Sequence, residues 1–520
     1  MSVRPTFMGF ETSTRGLQAN QKALDVVGNN TANIGVTGYT RQRVDLVSLS
    51  VNMRYTRYNT NSTAFAGQGV GVYGVSQIRD SFLDKRFREE YSDVGYYGAT
   101  SAILEDLTGA LDEIAPANLT TVMTKFQDAW DEMLGGNVNE ATQAANLQTV
   151  ATQLAQVLRQ MSAKVDNVWN QQEYSLEMDV DNINSILKRI AELNEAIGDH
   201  QFNSLDPGNS QYQPLELMDE RNVLLDQLSG YADIYYETDD KNMVTVWMGP
   251  KDEKNPPVVE KDVAQKLNVQ IDDSNPNYKT VSVFWNNTGN EVSFTSGSIR
   301  GMLDMLNGRG LGMTTGTGET WNQGIHYYKD KINTMAKVVA DAFNSVIEIV
   351  DYDSNGNPVA YDPPRYKALF AFENDAYETA AGIRVSDEWE ADSSYIIKDL
   401  ADKLLGGGSD DNNFAAKVAQ LFEEKFDFGE FRGTFQEYIQ FYSNTKLGND
   451  KSYSDSRLET VSSISETLLD QIQEISGVNF DEEGVDMMQY KKAYDAVSRV
   501  FTTLDEMLDK LINSTGRVGL

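Results

Sequence analysis

The chain has 520 residues, 40% hydrophobic and 23% charged, which predicts a globular protein of about three domains. Its 78 acidic and 44 basic residues give a net charge of −34, which disfavours binding to nucleic acid or to an anionic membrane surface. The absence of cysteine excludes disulfides, thiol nucleophiles and cysteine-ligated metal sites.

The first predicted element is an N-terminal helix, Thr14–Ile34, with a weak heptad pattern. Its apolar face comprises Leu17, Leu24, Val27 and Ile34. Ser13 and Asn20 make that face partly polar, and Gly35 and Gly38 predict where the helix ends. We expect this helix to form one half of a helical pair made by the two ends of the chain.

A longer helix is predicted from about Ala141 to Ile197, since no proline occurs between Pro116 and Pro207. Its apolar positions alternate by four and three residues: Leu147, Ala151, Leu154, Leu158, Met161, Val165, Val168, Leu176, Val180, Ile183, Leu187, Ile190 and Ile197. The pattern slips at Gln172, where two four-residue steps in succession form a stutter.

Strand signals are concentrated in the middle of the chain. Four segments rich in β-branched and aromatic residues are flanked by turn-forming sequences: Tyr231–Tyr236, Met243–Met248, Lys279–Trp285 and Glu291–Thr295. They predict a small antiparallel β domain inserted into a helical scaffold. Glycine-rich residues 307–318 predict a loop, and residues 406–410 predict another break in the chain.

Two further helical patterns end the chain. The first comprises Leu458, Val461, Ser465, Leu468, Ile472 and Ile475. After Ser476-Gly477 comes an unbroken heptad pattern made of Met487, Tyr490, Tyr494, Val497, Phe501, Leu504, Leu508 and Leu511. An ordinary helix in its own core would also show such a pattern. Its presence at both chain ends favours a terminal coiled coil that completes its burial against neighbouring subunits.

These elements predict a mainly α protein with an inserted β region. We expect a terminal α-helical coiled coil from residues 1–50 with 480–520. A long-helix bundle domain is expected from residues 51–228 with 300–479. Residues 229–299 are expected to form the small antiparallel β domain.

Residues 23–42 read Ala-Leu-Asp-Val-Val-Gly-Asn-Asn-Thr-Ala-Asn-Ile-Gly-Val-Thr-Gly-Tyr-Thr-Arg-Gln. This segment closely resembles the N-terminal signature of flagellar rod, hook and hook-associated proteins. The residues that carry the motif are Asn29, Asn30, Ala32, Asn33, Gly38 and Tyr39. Thr31 stands where the family usually has isoleucine.

Seven later segments extend the resemblance to the first hook-associated protein (FlgK type). They are residues 69–72, 78–88, 192–197, 217–222, 296–303, 475–483 and 490–494. Larger relatives carry a β insertion after a Leu-Phe pair, whereas here Leu369-Phe370 is closely followed by residues 380–385. We therefore expect that outer domain to be missing.

The resemblance implies a structural subunit of the bacterial flagellum that joins hook to filament by self-assembly through its terminal helices. The implied partners are further copies in a homo-oligomeric ring, the hook protein, a second junction protein (hook-associated protein 3 type) and a flagellar export chaperone (FlgN type). Residues 1–10 lack a signal-peptide pattern, and no apolar run approaches the roughly 20 residues of a membrane span. We therefore expect type III export without a cleaved signal peptide, and no membrane partner.

Three other interpretations stay open from the sequence. A hook or distal-rod axial protein would share the N-terminal signature but would lack the long Ala141–Ile197 helix. A secreted flagellar adhesin would bind host ligands through the β domain. A hydrolase on a flagellar scaffold is the third.

The sequence offers weak candidates for chemistry. The two histidines, His200 and His326, belong to no zinc motif, and His200 is expected in a polar loop. Residues 67–71 lack the lysine that ends a phosphate-binding loop. The Asp351–Asp362 segment matches the first half of an EF-hand loop, but Pro358 interrupts it, and an acidic Asn-Gly turn is favoured. We therefore predict no catalytic, cofactor or metal site.

Overall fold

The computed structural model describes residues 8–49, 67–112, 119–135, 141–203, 214–249, 251, 255–275, 278–309, 314–315, 318–319, 323–373, 378–399 and 413–514. The helices are α1 (Met8–Ala32), α2 (Ser81–Asp112), α3 (Thr120–Gly135), α4 (Ala141–Asn203), α5 (Leu215–Tyr231), α6 (Ser298–Asn307), α7 (Ile325–Asn344), α8 (Asp387–Ala391), α9 (Asn413–Leu421), α10 (Phe435–Gln440), α11 (Leu447–Ser476) and α12 (Phe480–Ser514). A 3-10 helix covers Ser393–Ile397, and a π-helix, Phe441–Lys446, connects α10 to α11.

The strands of the described residues are short, and all of their pairings are antiparallel. They are β1 (Gln42–Ser48), β2 (Val70–Gln77), β3 (Ile234–Thr238), β4 (Val244–Met248), β5 (Val259–Glu260), β6 (Val263–Ala264), β7 (Leu267–Asp272), β8 (Thr280–Trp285), β9 (Thr314–Thr315), β10 (Gly318–Glu319), β11 (Glu348–Tyr352), β12 (Pro358–Tyr366), β13 (Phe370–Phe372), β14 (Ile383–Val385), β15 (Phe426–Asp427) and β16 (Arg432–Gly433). A four-stranded sheet runs in the order β3-β4-β5-β6, and the remaining strands pair as hairpins of consecutive strands. This mainly α architecture with an inserted β region confirms the predicted fold class.

The elements from α2 to α11, without the β region, are here called the body. Helix α4 spans 63 residues and is the central helix of the body. All thirteen apolar positions predicted for it, from Leu147 to Ile197, are buried. Gln172, at the predicted stutter, is also buried, and its amide donates to the Asp106 carboxylate at 2.8 Å. The helix continues to Asn203, so the expectation that His200 lies in a polar loop is wrong.

A cluster of aromatic side chains packs beside α4. Phe126 of α3, Phe343 of α7 and Phe370 of β13 are buried, and their ring centroids lie 5.0–6.2 Å apart. Edge-to-face contacts between such rings add to the stabilisation from burial alone. The cluster fixes the packing of α3 against α7.

The β region is attached to α4 through two asparagine side chains. Asn194 accepts from the backbone N–H of Val244 at 3.1 Å and donates to its C=O at 2.8 Å. Asn184 bonds Leu267 in the same two ways, at 2.8 and 3.0 Å. Each amide satisfies the backbone groups of a strand residue as a neighbouring strand would.

Three of the four predicted strand segments correspond to β3, β4 and β8. The fourth, Glu291–Thr295, forms only an isolated bridge between Glu291 and Phe284. Val292 and Phe294 are buried, so the alternating pattern reflects packing, while Gly297 with φ of 91° turns the chain into α6.

Half of the loop predicted at residues 307–318 falls outside the described residues, and the break predicted at residues 406–410 does so entirely. Within the described part, β9 and β10 form a small hairpin. No helix of the described residues is long and apolar enough to cross a membrane.

Candidate assembly interface

Helices α1 and α12 run antiparallel and in close contact. The ring of Phe10 lies edge-on to that of Phe501, with centroids 5.2 Å apart. Six residues further along α1, a Cβ atom added to Gly16 would lie 3.2 Å from Cγ1 of Val497. The partner numbers fall as the α1 numbers rise, which defines an antiparallel pair, here called the terminal pair. The short distance at Gly16 leaves no room for a larger side chain.

Helix α1 buries mainly small residues, whereas the heptad pattern predicted a leucine face. Its buried residues are Ser13, Gly16, Ala19, Ala23, Val26, Val27 and Asn30. Of the predicted set, Val27 is buried, while Leu17 and Leu24 are only half-buried. Ile34 is 48% exposed and lies beyond the end of α1 at Ala32, which corrects the predicted helix end.

Helix α12 is only partly covered by α1. Half-buried residues make up most of its predicted face: Tyr490, Tyr494, Val497, Phe501, Leu504 and Leu508. Met487 and Leu511, at the ends of that face, are 40% and 59% exposed. Other apolar residues on the helix are also exposed: Val485, Met488, Val500, Met507 and Ile512. Because glycine, serine and alanine cover little area, α1 leaves an extended apolar surface on α12.

The Asn-Asn-Thr-Ala-Asn motif closes the end of α1. The Asn33 amide donates to the backbone C=O of Asn29 at 2.9 Å, which satisfies a carbonyl of the last turn. Asn30, which is 1% exposed, bonds both the C=O and the N–H of Gln42, at 2.9 and 3.0 Å. Its Oδ1 also accepts from the Tyr39 hydroxyl at 2.9 Å. Burial raises the pKa of Tyr39 to about 12, so this phenol stays a donor.

A buried carboxylate joins the motif to the start of α12. Glu483, whose side chain is 2% exposed, accepts from the Asn30 amide at 3.1 Å and from Nε of Arg41 at 2.7 Å. Arg41 also contacts the more exposed Glu482 at 2.6 Å and Asp486 at 3.3 Å. Asn30, Arg41 and Glu483 are here called the polar clamp. Charge-assisted bonds of this kind are stronger than neutral ones, and they set the register of the terminal pair.

The loop after α1 is seated on helix α5. Thr40 donates to Asp219 through its backbone N–H at 3.1 Å and through its hydroxyl at 2.6 Å. Burial raises the pKa of Asp219 to about 6, although the Thr40 bonds and the charge of Arg79 oppose that shift. Gly38 has φ of 79°, and a Cβ there would lie 2.1 Å from Cγ2 of Val223, so this position requires glycine.

Three family models match this chain. Residues 104–360 match the flagellar hook-associated protein FlgK helical domain, residues 10–40 the flagella basal body rod protein, and residues 470–514 the flagellar basal body rod FlgEFG protein C-terminal segment. Flagellar hook-associated protein 1 of Bacillus subtilis (strain 168) is 29% identical over 535 residues, which cover 98% of this chain and 99% of that protein. The chain belongs to the FlgK family. This membership confirms the family predicted from the sequence.

Two other proteins are similar to this chain. Flagellar hook-associated protein 1 of Escherichia coli (strain K12) is 23% identical, over 96% of this chain and 98% of that protein. The structure of the flagellar hook junction protein FlgK from Burkholderia pseudomallei matches 55% of this chain at 17% identity with a TM-score of 0.42. That match covers 46% of the Burkholderia chain, less than half of its length.

As a member of the FlgK family, the chain is a structural subunit of the flagellum at the hook–filament junction. The rod-protein matches at its two ends would also fit a hook or distal-rod protein. The helical-domain match at residues 104–360 and the full-length relatives identify the hook-associated branch instead. The long helix α4 lies within that matched segment.

Sequence reasoning missed four side chains that connect the FlgK-family motif to the rest of the protein: Thr40, Arg41, Asp219 and Glu483. Arg41 is 442 residues from Glu483 in sequence, and Thr40 is 179 residues from Asp219. One local signal was available, since Asn479 caps α12 by accepting from the N–H of Asp481 at 2.9 Å. That cap predicts a helix starting at Phe480, seven residues before Met487.

His326 belongs to the interior of this FlgK-family body. It is 4% exposed, and its ring stacks on Trp169 with centroids 6.1 Å apart. Its Nε2 bonds the backbone C=O of Lys279 at 2.7 Å and is therefore the donor, while Nδ1 has no hydrogen-bond partner among the described residues. Burial lowers the pKa of His326. This is the environment of a packing histidine.

The candidate EF-hand segment forms the β11–β12 hairpin. Oδ1 of Asp353 accepts from the backbone N–H groups of Asn355 and Asn357 at 2.8 and 2.7 Å, and Gly356 has φ of 82°. These features are those of an Asn-Gly turn closed by an aspartate. No group of three or more metal-ligating acidic or histidine side chains occurs in the part of the chain that the structure describes.

Proposed function

We propose that this protein joins the hook to the filament by self-assembly through its terminal pair. The observation that carries the proposal is the incomplete burial of α12. Phe501 and Leu504 are half-buried, and Met507 and Leu511 are 61% and 59% exposed. Burying apolar surface is favourable by roughly 25 cal/mol per Å². Contacts in which neighbouring subunits cover α12 are therefore expected to stabilise the assembly. Head-to-tail contacts of this kind close into rings or continue as tubes.

The proposed partners follow the axis of the flagellum. Further copies form a ring, the hook protein lies below, and a second junction protein of the hook-associated protein 3 type lies above. Before assembly, an export chaperone of the FlgN type covers α12, because an open apolar helix is an aggregation risk. Export proceeds by the flagellar type III route without a cleaved signal peptide.

The proposed division of labour follows three domains. Residues 1–50 with 480–520 assemble, residues 51–228 with 300–479 form the rigid body, and residues 229–299 form an outward-facing β domain. The terminal interface comprises Leu17, Leu24, Val27, Ile34, Met487, Tyr490, Tyr494, Val497, Phe501, Leu504, Leu508 and Leu511. The protein works mechanically, without a catalytic centre or cofactor.

Phe501→Asp tests whether assembly requires an intact terminal pair. The substitution places a charge against Phe10 at the contact between α1 and α12, and burying an unpaired charge is costly. Thr502→Asp is the matched control, since it adds the same charge one residue further on at an exposed position. In a strain lacking the native protein, Phe501→Asp is expected to abolish filament attachment and Thr502→Asp to preserve it. Normal filaments in both strains would defeat the proposal.

Deletion of residues 487–511 gives a second test. The body buries its own core around α4, so the shortened chain is expected to stay soluble and folded. Cells that carry it are expected to export unattached filament protein and to lose motility. Immunogold labelling of isolated flagella locates the full-length protein, and a position away from the hook–filament boundary would contradict the proposed role.

A further inference from the structure

One face of helix α5 contacts the loop after α1 and the end of β2. Besides the Thr40–Asp219 contact, Glu216 accepts from the Gln42 amide at 3.3 Å. The backbone C=O of Leu215 accepts from the Gln77 amide, at the end of β2, at 3.0 Å. Positions 216, 219 and 223 of α5 are spaced by three and four residues and therefore lie on the same side of a helix. The loop after α1 and the end of β2 thus rest on a single face of α5.

The opposite side of the same helix turn holds the β region. Arg221 is 3% exposed, and its Nη1 donates to the Asn194 Oδ1 at 3.0 Å and to the backbone C=O of Asn242 at 2.5 Å. Asn242 lies in the turn between β3 and β4. Two residues along an α-helix are separated by about 200° around its axis, so Asp219 and Arg221 point in nearly opposite directions.

The two buried contacts differ from the exposed one between them. Glu220 pairs with Arg189 at 2.7 Å, but both side chains are more than 40% exposed. Exposed ion pairs contribute little because water screens them, whereas buried polar groups demand their partners. Asp219 and Arg221 therefore fix geometry, and Glu220 does not.

We propose that this turn of α5 is the joint that sets the direction of the terminal pair relative to the body, with Asp219 as the positioning residue that acts through Thr40. The inference rests on the proposed assembly function and deepens it. In a subunit that connects the hook to the filament, mechanical force on the terminal pair is transmitted through Thr40 and Asp219 to α5. Arg221 carries it onward to α4 and the β region.

The length of α12 makes the joint sensitive. Thr503 lies twenty residues beyond Glu483, which is about 30 Å along a helix at 1.5 Å per residue. A tilt of about 10° at the joint moves Thr503 by about 5 Å. Small changes at Asp219 therefore give measurable displacements far away.

The chain contains no cysteine, so spin labels can be placed without background. Thr503→Cys with Gln171→Cys reports the angle between α12 and α4, and Gln171→Cys with Glu459→Cys reports the body alone. All three positions are exposed. Pulsed electron–electron distance measurements on the full chain are expected to give one narrow distribution for each pair. Asp219→Ala is expected to abolish the single narrow Thr503–Gln171 distribution while the Gln171–Glu459 distribution stays unchanged.

Two further variants keep the test decisive if Asp219→Ala folds poorly. Thr40→Val removes only the hydroxyl donor and is expected to broaden the same distribution to a smaller extent. Glu220→Gln is the matched control, because it removes a neighbouring charge without touching Thr40, and it is expected to leave both distributions unchanged. If the Thr503–Gln171 distance distribution keeps its position and its narrow width in both Asp219→Ala and Thr40→Val, the proposal that α5 is the joint is wrong. A broad distribution in the unsubstituted chain would overturn it as well.

Failure of this inference can be told apart from failure of the assembly role. Filament attachment in the Phe501→Asp strain tests the interface, whatever the distances show. A distance distribution that responds to Asp219→Ala in a protein whose Phe501→Asp variant still attaches filaments would support the joint and refute the interface. The reverse pair of results would do the opposite.

Discussion

The strongest prediction concerns Glu483→Ala, which removes the central acceptor of the polar clamp. The carboxylate is buried between Asn30 and Arg41, and it connects the first turn of α12 to the end of α1. Removing this carboxylate deprives two donors of a hydrogen-bond acceptor, the side-chain amide of Asn30 and Nε of Arg41. We expect the terminal pair to separate more readily, with α1 and α12 themselves still intact.

The magnitude follows from the partners that remain. A buried donor that loses its acceptor costs about 1–3 kcal/mol. Arg41 keeps its ion pairs with Glu482 at 2.6 Å and with Asp486 at 3.3 Å, so its positive charge still has acidic partners. The destabilisation is therefore expected to be smaller than the about 3–5 kcal/mol that follows when a buried ion pair loses one partner completely. The two effects together predict a loss of about 2–3 kcal/mol in the docking of the terminal pair. That corresponds to an increase of about 30- to 150-fold in the undocked population.

Hydrogen exchange measured by mass spectrometry reports this population segment by segment. Amides of α1 and of the first half of α12 are expected to exchange about 30 to 150 times faster in Glu483→Ala. Amides of α4 between Leu154 and Val165 belong to the body core and are expected to exchange at an unchanged rate.

Glu482→Ala is the matched control, because Glu482 contacts the same arginine but its side chain is 59% exposed. Exposed pairs contribute less than about 1 kcal/mol, so this variant is expected to change exchange only slightly. Equal effects of the two substitutions would refute the argument that burial of Glu483 sets the register. Faster exchange throughout α4 in Glu483→Ala would refute the argument that the clamp acts locally.

Gly16, His326 and Asp353 allow further tests at three separate places in the structure. Gly16→Leu is expected to force α1 away from α12, since even a Cβ atom at Gly16 would lie 3.2 Å from Cγ1 of Val497. The expected result is loss of filament attachment with an unchanged melting temperature of the body. Gly28→Ala is the control, because a Cβ atom at Gly28 would have no neighbouring atom within 4 Å among the described residues. Burial holds the pKa of the His326 imidazole below its ordinary 6.5, so the unfolded chain binds a proton at a higher pH than the folded chain does. The free energy of unfolding is therefore expected to fall as the pH falls through about 6.5. A free energy of unfolding that does not vary with pH in this range, and that His326→Gln leaves unchanged, would contradict this prediction. Calcium is expected to leave the melting temperature unchanged, since the Asp353 carboxylate already bonds backbone N–H groups; a calcium-dependent rise that Asp353→Ala removes would show a metal site.

Much of the helical framework was predictable, because long apolar faces leave a periodic record in the sequence. The predicted start of α4 and all of its apolar positions agree with the structure, since a helix buried along its length must be apolar at each inward turn. The end of α4 was less predictable. Residues up to Asn203 continue the helix without adding to that apolar pattern, so His200 was placed in a loop.

The face of α1 was not predictable in the same way. Gly16 and Ala23 carry little hydrophobic signal, yet close approach of two helices requires small residues there, so the more visible Leu17 and Leu24 drew the prediction to a neighbouring face. Strand Glu291–Thr295 failed for a related reason, because alternation records which side chains are buried and not whether a ladder forms.

The sequence by itself determined the family, the fold class and the apolar face of α12, because periodicity and the Asn-Asn-Thr-Ala-Asn motif are local properties of the chain. Only the tertiary structure decided how that motif is used. Asn30, Arg41 and Glu483 meet because folding brings the two chain ends together, and Thr40 meets Asp219 because α5 passes beneath the same loop. Side-chain contacts across hundreds of residues leave no periodic trace in a single sequence, since each needs only one suitable residue at each end.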